Sequence, residues 1–97
     1  MIREIATLTI EPGNASAFEA AVTEAKPLFL GAAGCHAMHL ERVIEKPGQY
    51  RLVVEWESVE AHTEVFRTSE AFQTWRGLVQ PFFVAPPDVV HTEVAVE

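Results

Sequence analysis

An α+β, ferredoxin-like fold is predicted for this 97-residue chain by three observations. Apolar residues alternate with period two in four stretches and recur with helical spacing in the regions between them, in the order β-α-β-β-α-β. Lys46-Pro47-Gly48-Gln49 is a turn signal that joins the second and third strands as a hairpin. Thr68-Ser69 interrupts the second helical region and breaks it in two. That order is the split βαβ plan, a four-stranded antiparallel sheet with its helices on one face. Ninety-seven residues make one domain, 1–97.

Residues 2–10 read as the first strand. Ile2, Ala6, Leu8 and Ile10 share a face that Glu4 interrupts, with Arg3, Ile5, Thr7 and Thr9 on the other. Glu11-Pro12-Gly13 stops it, and Asn14 or Ser16 can cap a helix over about 14–30. Phe18, Ala21, Val22, Ala25, Leu28 and Phe29 form its apolar face. Pro27 should bend it, since proline lacks an N–H, and Gly31 or Gly34 should close it. Strand two is expected at 35–44, with His36, Met38, Leu40 and Arg42 opposite Cys35, Ala37, His39, Glu41 and Val43. Strand three, 50–57, puts Tyr50, Leu52, Val54 and Trp56 on one face. Ser58 caps the next helix, whose stripe is Val59, His62 and Phe66 with Ala61 and Val65 beside it. Ser69 re-caps a helix with Ala71, Phe72, Trp75, Leu78 and Val79 on one side. Pro81 ends that helix, and a last strand is expected at 88–96.

Composition narrows the function. The formal net charge is −7, and no cluster of Lys and Arg offers phosphates a footprint, which argues against nucleic acid. The same charge disfavours an anionic membrane surface. The first ten residues alternate and carry charge, unlike a signal or membrane-spanning segment, so a cytoplasmic location is expected. A single cysteine excludes an intramolecular disulfide. Hydrophobic residues make up 48% of the chain, a large share for so small a core. The sheet face away from the helices carries Ile5, Val53 and valines of the last strand. Two such faces pressed together in a two-fold homodimer would remove them from water.

Several segments together resemble the antibiotic biosynthesis monooxygenase family of dimeric α/β barrels. They are Pro12-Gly13-Asn14, Gly34-Cys35, Trp56-Glu57-Ser58-Val59-Glu60-Ala61-His62 and Ser69-Glu70-Ala71-Phe72, spread over nearly the whole chain. The resemblance implies a homodimer whose two sheets form a barrel, and a pocket between sheet and helices in each subunit. It also implies oxidation of quinols, anthrones or similar aromatics by molecular oxygen without metal or flavin. In one branch an asparagine, a tryptophan and a tyrosine act together. The tryptophan matches Trp56, while Leu52 stands at the asparagine position and His62 at the tyrosine position. The haem-degrading branch's asparagine, tryptophan and histidine fall here on Ala6 or Thr7, Phe66 and Arg76, so that triad is absent.

Candidate site residues follow. His62 is the expected base or hydrogen-bond partner, because an imidazole titrating near neutrality can take a phenolic proton. Trp56 is placed with it as the second catalytic candidate. Tyr50, Leu52, Phe66, Trp75, His36 and His91 are expected around the substrate, although Trp75 suits core packing equally well. No metal is expected: His36 and His39 point to opposite faces of their strand, and no ligand motif is present. Cys35 reads as a small buried hydrophobe. Two rival functions use the same fold: a non-catalytic dimeric module for a small apolar ligand, and a non-redox, isomerase-like enzyme.

Overall fold

The computed structural model describes residues 1–97. Its sheet is antiparallel with strand order β2-β3-β1-β4, where β1 is Ile2–Thr9, β2 Cys35–Arg42, β3 Gln49–Trp56 and β4 Asp88–Thr92. Helix α1 (Ala15–Leu30), a π-helical turn (Ala61–Phe66) and helix α2 (Glu70–Val79) pack on one face, and the ferredoxin-like plan is present in full. No helix is long and apolar enough to cross a membrane.

The buried residues follow the two periods read from the sequence. In β1 the inward positions Glu4, Ala6 and Leu8 are buried, while Arg3, Ile5 and Thr7 are not. Tyr50, Leu52, Val54 and Trp56 line the inner side of β3. Phe18, Val22, Ala25 and Phe29 of α1 meet Trp75 and Val79 of α2 in one apolar cluster. Register sets the neighbours: Glu4 lies opposite Val54 on one side and His91 on the other.

Four of the following local features differ from the sequence reading, and the second, the span of α1, agrees with it. First, α1 is entered through a 3₁₀ turn, Pro12–Asn14, and neither Asn14 nor Ser16 caps it with a side chain. Second, α1 runs through Pro27 to Leu30; Pro27 is on the exposed side, where water can reach the carbonyl it leaves unpaired.

Third, a β-bulge sits between Cys35 and Ala37, so Cys35 pairs with Trp56 and Ala37 with Glu55. The extra residue, His36, has no strand partner and swings out to within 3.5 Å of Glu57, while Cys35 packs against the core. Alternation breaks at a bulge, so Cys35 and Met38 share the inner face although their numbers differ by three. Fourth, the residues after Ser58 form a π turn, with Arg67 N–H donating to the His62 carbonyl at 3.0 Å. The wider turn buries His62 and Phe66 and leaves Val59 and Val65 exposed. Ser58 and Ser69 both cap as expected, accepting from the backbone N–H of Ala61 and Phe72.

Fifth, β4 has five residues rather than nine. It runs antiparallel to β1 and has reached Arg3 by Thr92, so residues beyond it pass the end of the partner strand.

The sheet end remote from Trp56 is tied by a polar lock. Arg42 donates from Nε and Nη2 to the two oxygens of Glu19, both at 2.8 Å, and the Tyr50 hydroxyl donates to Glu19 Oε2 at 2.6 Å. These bonds, the arginine's first, hold the Glu19 carboxyl down to about 2 from its usual 4.5. The unfolded carboxyl takes up protons first, so the lock's contribution is complete above the unfolded value and is lost as pH falls toward about 2. The stability gap between wild type and Glu19→Gln in urea denaturation should therefore narrow on acidification through that window. A gap independent of pH would show that the lock does not stabilise the fold.

Candidate active site

Two buried polar residues stand out in a core that is otherwise apolar: Glu4, 5% exposed, and His62, 2% exposed. Glu4 is brought under the helices by β1's alternation, and His62 by the π turn. An unpaired carboxylate in such a place costs several kcal/mol. Glu4 is not unpaired. Its Oε1 accepts from Trp56 Nε1 at 3.0 Å and faces His62 Nε2 at 3.2 Å. The Trp56 ring also stacks on the His62 ring, with centroids 5.5 Å apart and 20° between planes. The other ring nitrogen of His62, Nδ1, lies 2.8 Å from His91 Nε2 on β4. The four residues form one line: Trp56, Glu4, His62, His91.

The line fixes tautomers. An ionised Glu4 can only accept, so His62 carries its hydrogen on Nε2. Nδ1 is then an acceptor, and His91 donates from Nε2. Burial pushes the Glu4 carboxyl above its usual 4.5, against the pull of the Trp56 N–H and the Arg67 charge. Burial first, then the charges of Arg67 and His91, bring His62 down from 6.5 to about 4. The imidazole is therefore neutral at neutral pH.

A cavity of about 330 Å³ opens beside this line, between the inner sheet face and α2, a size within the range of small-molecule sites. Its walls are mainly apolar, with Leu52 from β3, Trp75 from α2 and Val89 from β4 among them. Glu4, His62, Arg67 and Arg76 supply the charged or ionisable groups.

The expected site residues divide. His62 and Trp56 meet at the polar corner, and His91 joins them through its bond to His62. Leu52 and Trp75 wall the cavity, with the Trp75 ring also edge-on to Phe29 at 4.8 Å. Phe66 is packed in the core against Trp56, Phe29 and Phe72. Tyr50 stands at the far end of β3 in the Glu19 lock, and His36 is at the bulged sheet edge; neither lines the cavity. Sequence reasoning passed over Glu4, Arg67 and Arg76. Glu4 had a visible signal, a charge inside an apolar alternation. The arginines had none, because their positions depend on the π turn. Glu4, His62 and His91 touch one after another, and no three such side chains in the chain are grouped as metal ligands would be.

The fold is a ferredoxin-like domain with a cavity between one sheet face and its helices. The chain belongs to the antibiotic biosynthesis monooxygenase family, whose profile matches residues 1–78. An uncharacterised Bacillus subtilis protein, YczJ, is 40% identical over 91 residues, covering 94% of this chain and 96% of its own. The structure of a candidate antibiotic biosynthesis monooxygenase from Bordetella bronchiseptica is 47% identical with a TM-score of 0.95, covering 98% of this chain and 97% of that one. SnoaB of Streptomyces nogalater, a cofactor-independent oxygenase, shares the fold at 13% identity and a TM-score of 0.81, over 99% of this chain and 94% of its own.

The lowered His62 value sets a pH dependence. Between about 4 and 6.5 the unfolded chain binds this proton and the folded chain does not, so stability falls as pH drops through that window. Nitrogen NMR of labelled histidine should show His62 as the neutral Nε2–H tautomer at pH 7, with its midpoint near 4. A midpoint near 6.5 would mean that the ring is not held as described.

Proposed function

We propose that the protein is a cofactor-independent monooxygenase that oxidises a small phenolic or quinol-type aromatic with molecular oxygen. One observation carries this reading: a buried carboxylate–imidazole pair at the polar corner of an otherwise mainly apolar cavity. Leu52, Trp75 and Val89 suit a flat aromatic, and Glu4 with His62 suits its hydroxyl. Removing the hydroxyl proton leaves an electron-rich anion, which yields an electron to oxygen far more readily than the neutral phenol. For an anthrone, a CH2 group becomes a carbonyl; one atom of O2 enters the product and the other leaves as water. No external reductant is needed, and the apolar walls limit water beside the anion. The cofactor-independent oxygenase of the same fold from Streptomyces nogalater supports this chemistry.

Oxygen uptake by metal-stripped protein on a panel of hydroquinones, naphthoquinols and anthrones tests it. The expected result is a rate at least about 100-fold above the uncatalysed one, the usual contribution of a positioned base, and strongly reduced in His62→Ala. Chelator should leave the rate unchanged. Tight binding of these aromatics without uptake would instead support a non-redox enzyme or a binding module.

The same reading includes a homodimer built through the free sheet face. Ile5 lies between Val53 and Val90 in register, and Val90 is about half exposed. Light scattering should give twice the 10.8 kDa chain mass, and Ile5→Lys should reduce it to one. A monomeric wild type would remove the dimer from the proposal.

A further inference from the structure

We propose that Glu4 is the catalytic base and takes the substrate's proton on Oε2, while His62, Trp56 and His91 are positioning residues. This rests on the reading of the cavity as the site of phenol or quinol oxidation, and it assigns the proton-accepting atom within it.

Contact geometry separates the two candidates. His62 Nδ1 is hydrogen-bonded to His91 Nε2 at 2.8 Å, and His62 Nε2 lies in contact with Glu4 Oε1 at 3.2 Å. One face of the ring is covered by Trp56. A ring nitrogen 3.2 Å from a carboxylate oxygen carries the hydrogen rather than the lone pair, and the lone pair on Nδ1 faces His91, so the ring offers a ligand no acceptor. Glu4 differs. Both of its contacts fall on Oε1, from Trp56 at 3.0 Å and His62 at 3.2 Å. Oε2 is left for the cavity that Glu4 lines, and no buried side-chain oxygen of the chain is without a partner, so Oε2 is open rather than sealed. The Trp56 N–H bond and the His62 contact, both on Oε1, hold the carboxylate and leave the other oxygen for the ligand.

The transfer balances within the cavity. The phenolic O–H bond breaks, an O–H bond forms on Oε2, and the negative charge moves from Glu4 to the substrate oxygen. Net charge is unchanged. The guanidinium groups of Arg67 and Arg76 line the same space and favour the new anion. Burial raises the Glu4 carboxyl above 4.5, which narrows the gap to a phenol near about 10. The titratable and charged groups facing Glu4 are Cys35 from β2, His62, Arg67 and Arg76 from the helical side, and His91 from β4.

The test compares Glu4→Gln, His62→Gln and His62→Ala on the best substrate of the panel. Glu4→Gln keeps the shape and loses the base, so oxygen uptake should fall about 100-fold or more. A glutamine at 62 can still donate an N–H toward Oε1, so His62→Gln should keep activity within about tenfold of wild type, well above His62→Ala. Glu4→Gln retaining more than a tenth of the rate, or His62→Gln falling as far as Glu4→Gln, overturns the assignment. A second measurement needs no turnover: the ionisation of bound 4-nitrophenol, read by absorbance. Arg67 and Arg76 act on the probe in both proteins, so the comparison between them isolates Glu4. A carboxylate that accepts the O–H opposes a second negative charge beside it, so the midpoint should be lower in Glu4→Gln than in wild type. A midpoint equal in the two proteins, or higher in Glu4→Gln, overturns the assignment without requiring any variant to be active. No uptake across the panel with the probe shift intact refutes the oxidation and leaves Glu4 as the ligand's proton acceptor. No binding of the probe to wild type overturns both.

Discussion

A carboxylate under the helices of a small α+β domain must be neutralised or given polar partners, and Glu4 has the Trp56 N–H and the His62 ring on one oxygen. Its partners explain otherwise separate features. Trp56 ends β3 with its N–H on Glu4 and its ring on His62. The π turn brings His62 to the carboxylate, and β4 pairs with β1 so that His91 lies across from Glu4. Replacing any one of them by an apolar residue would leave a buried polar atom without a partner, the costly case for hydrogen-bonded groups. The line of four is therefore a structural constraint before it is a site.

That constraint also sets the two ends of β3 apart. The inner face of β3 places Tyr50 and Trp56 six residues apart, about 20 Å along the strand. Each end meets a glutamate, with opposite results. At the Tyr50 end, Arg42 closes on Glu19, and a partly exposed, fully paired carboxylate loses its tendency to protonate. At the Trp56 end no arginine bonds to Glu4, and burial raises its proton affinity. One glutamate is a fastener and the other keeps proton chemistry available. The difference is one of solvent and partners, since the residue type is the same.

The chain's surplus of acid gives Arg67 and Arg76 added weight. Two of its seven cationic side chains line one cavity in a protein of net charge −7. They bias that space toward an anion formed in place, while the remaining surface stays acidic.

Much of this was legible in the sequence, and for a physical reason. Strand and helix periods, the Lys46–Gln49 turn and the serine caps depend on neighbours within a few residues, so order, sheet and helix faces could be read directly. His62 and Trp56 were singled out by residue chemistry and by resemblance. The bulge at His36, the π turn and the short β4 could not be read, because each answers to a distant partner: β3 across the sheet, the core under Phe66, and the N-terminal end of β1. Glu4 was visible only as a break in an apolar alternation. Pairing with Trp56, 52 residues away in sequence, and with His62 is a property of the folded chain. Local pattern determined which faces are apolar. Tertiary packing alone decided which polar groups are shut inside together, because burial and long-range hydrogen bonds exist only once the sheet and helices have closed.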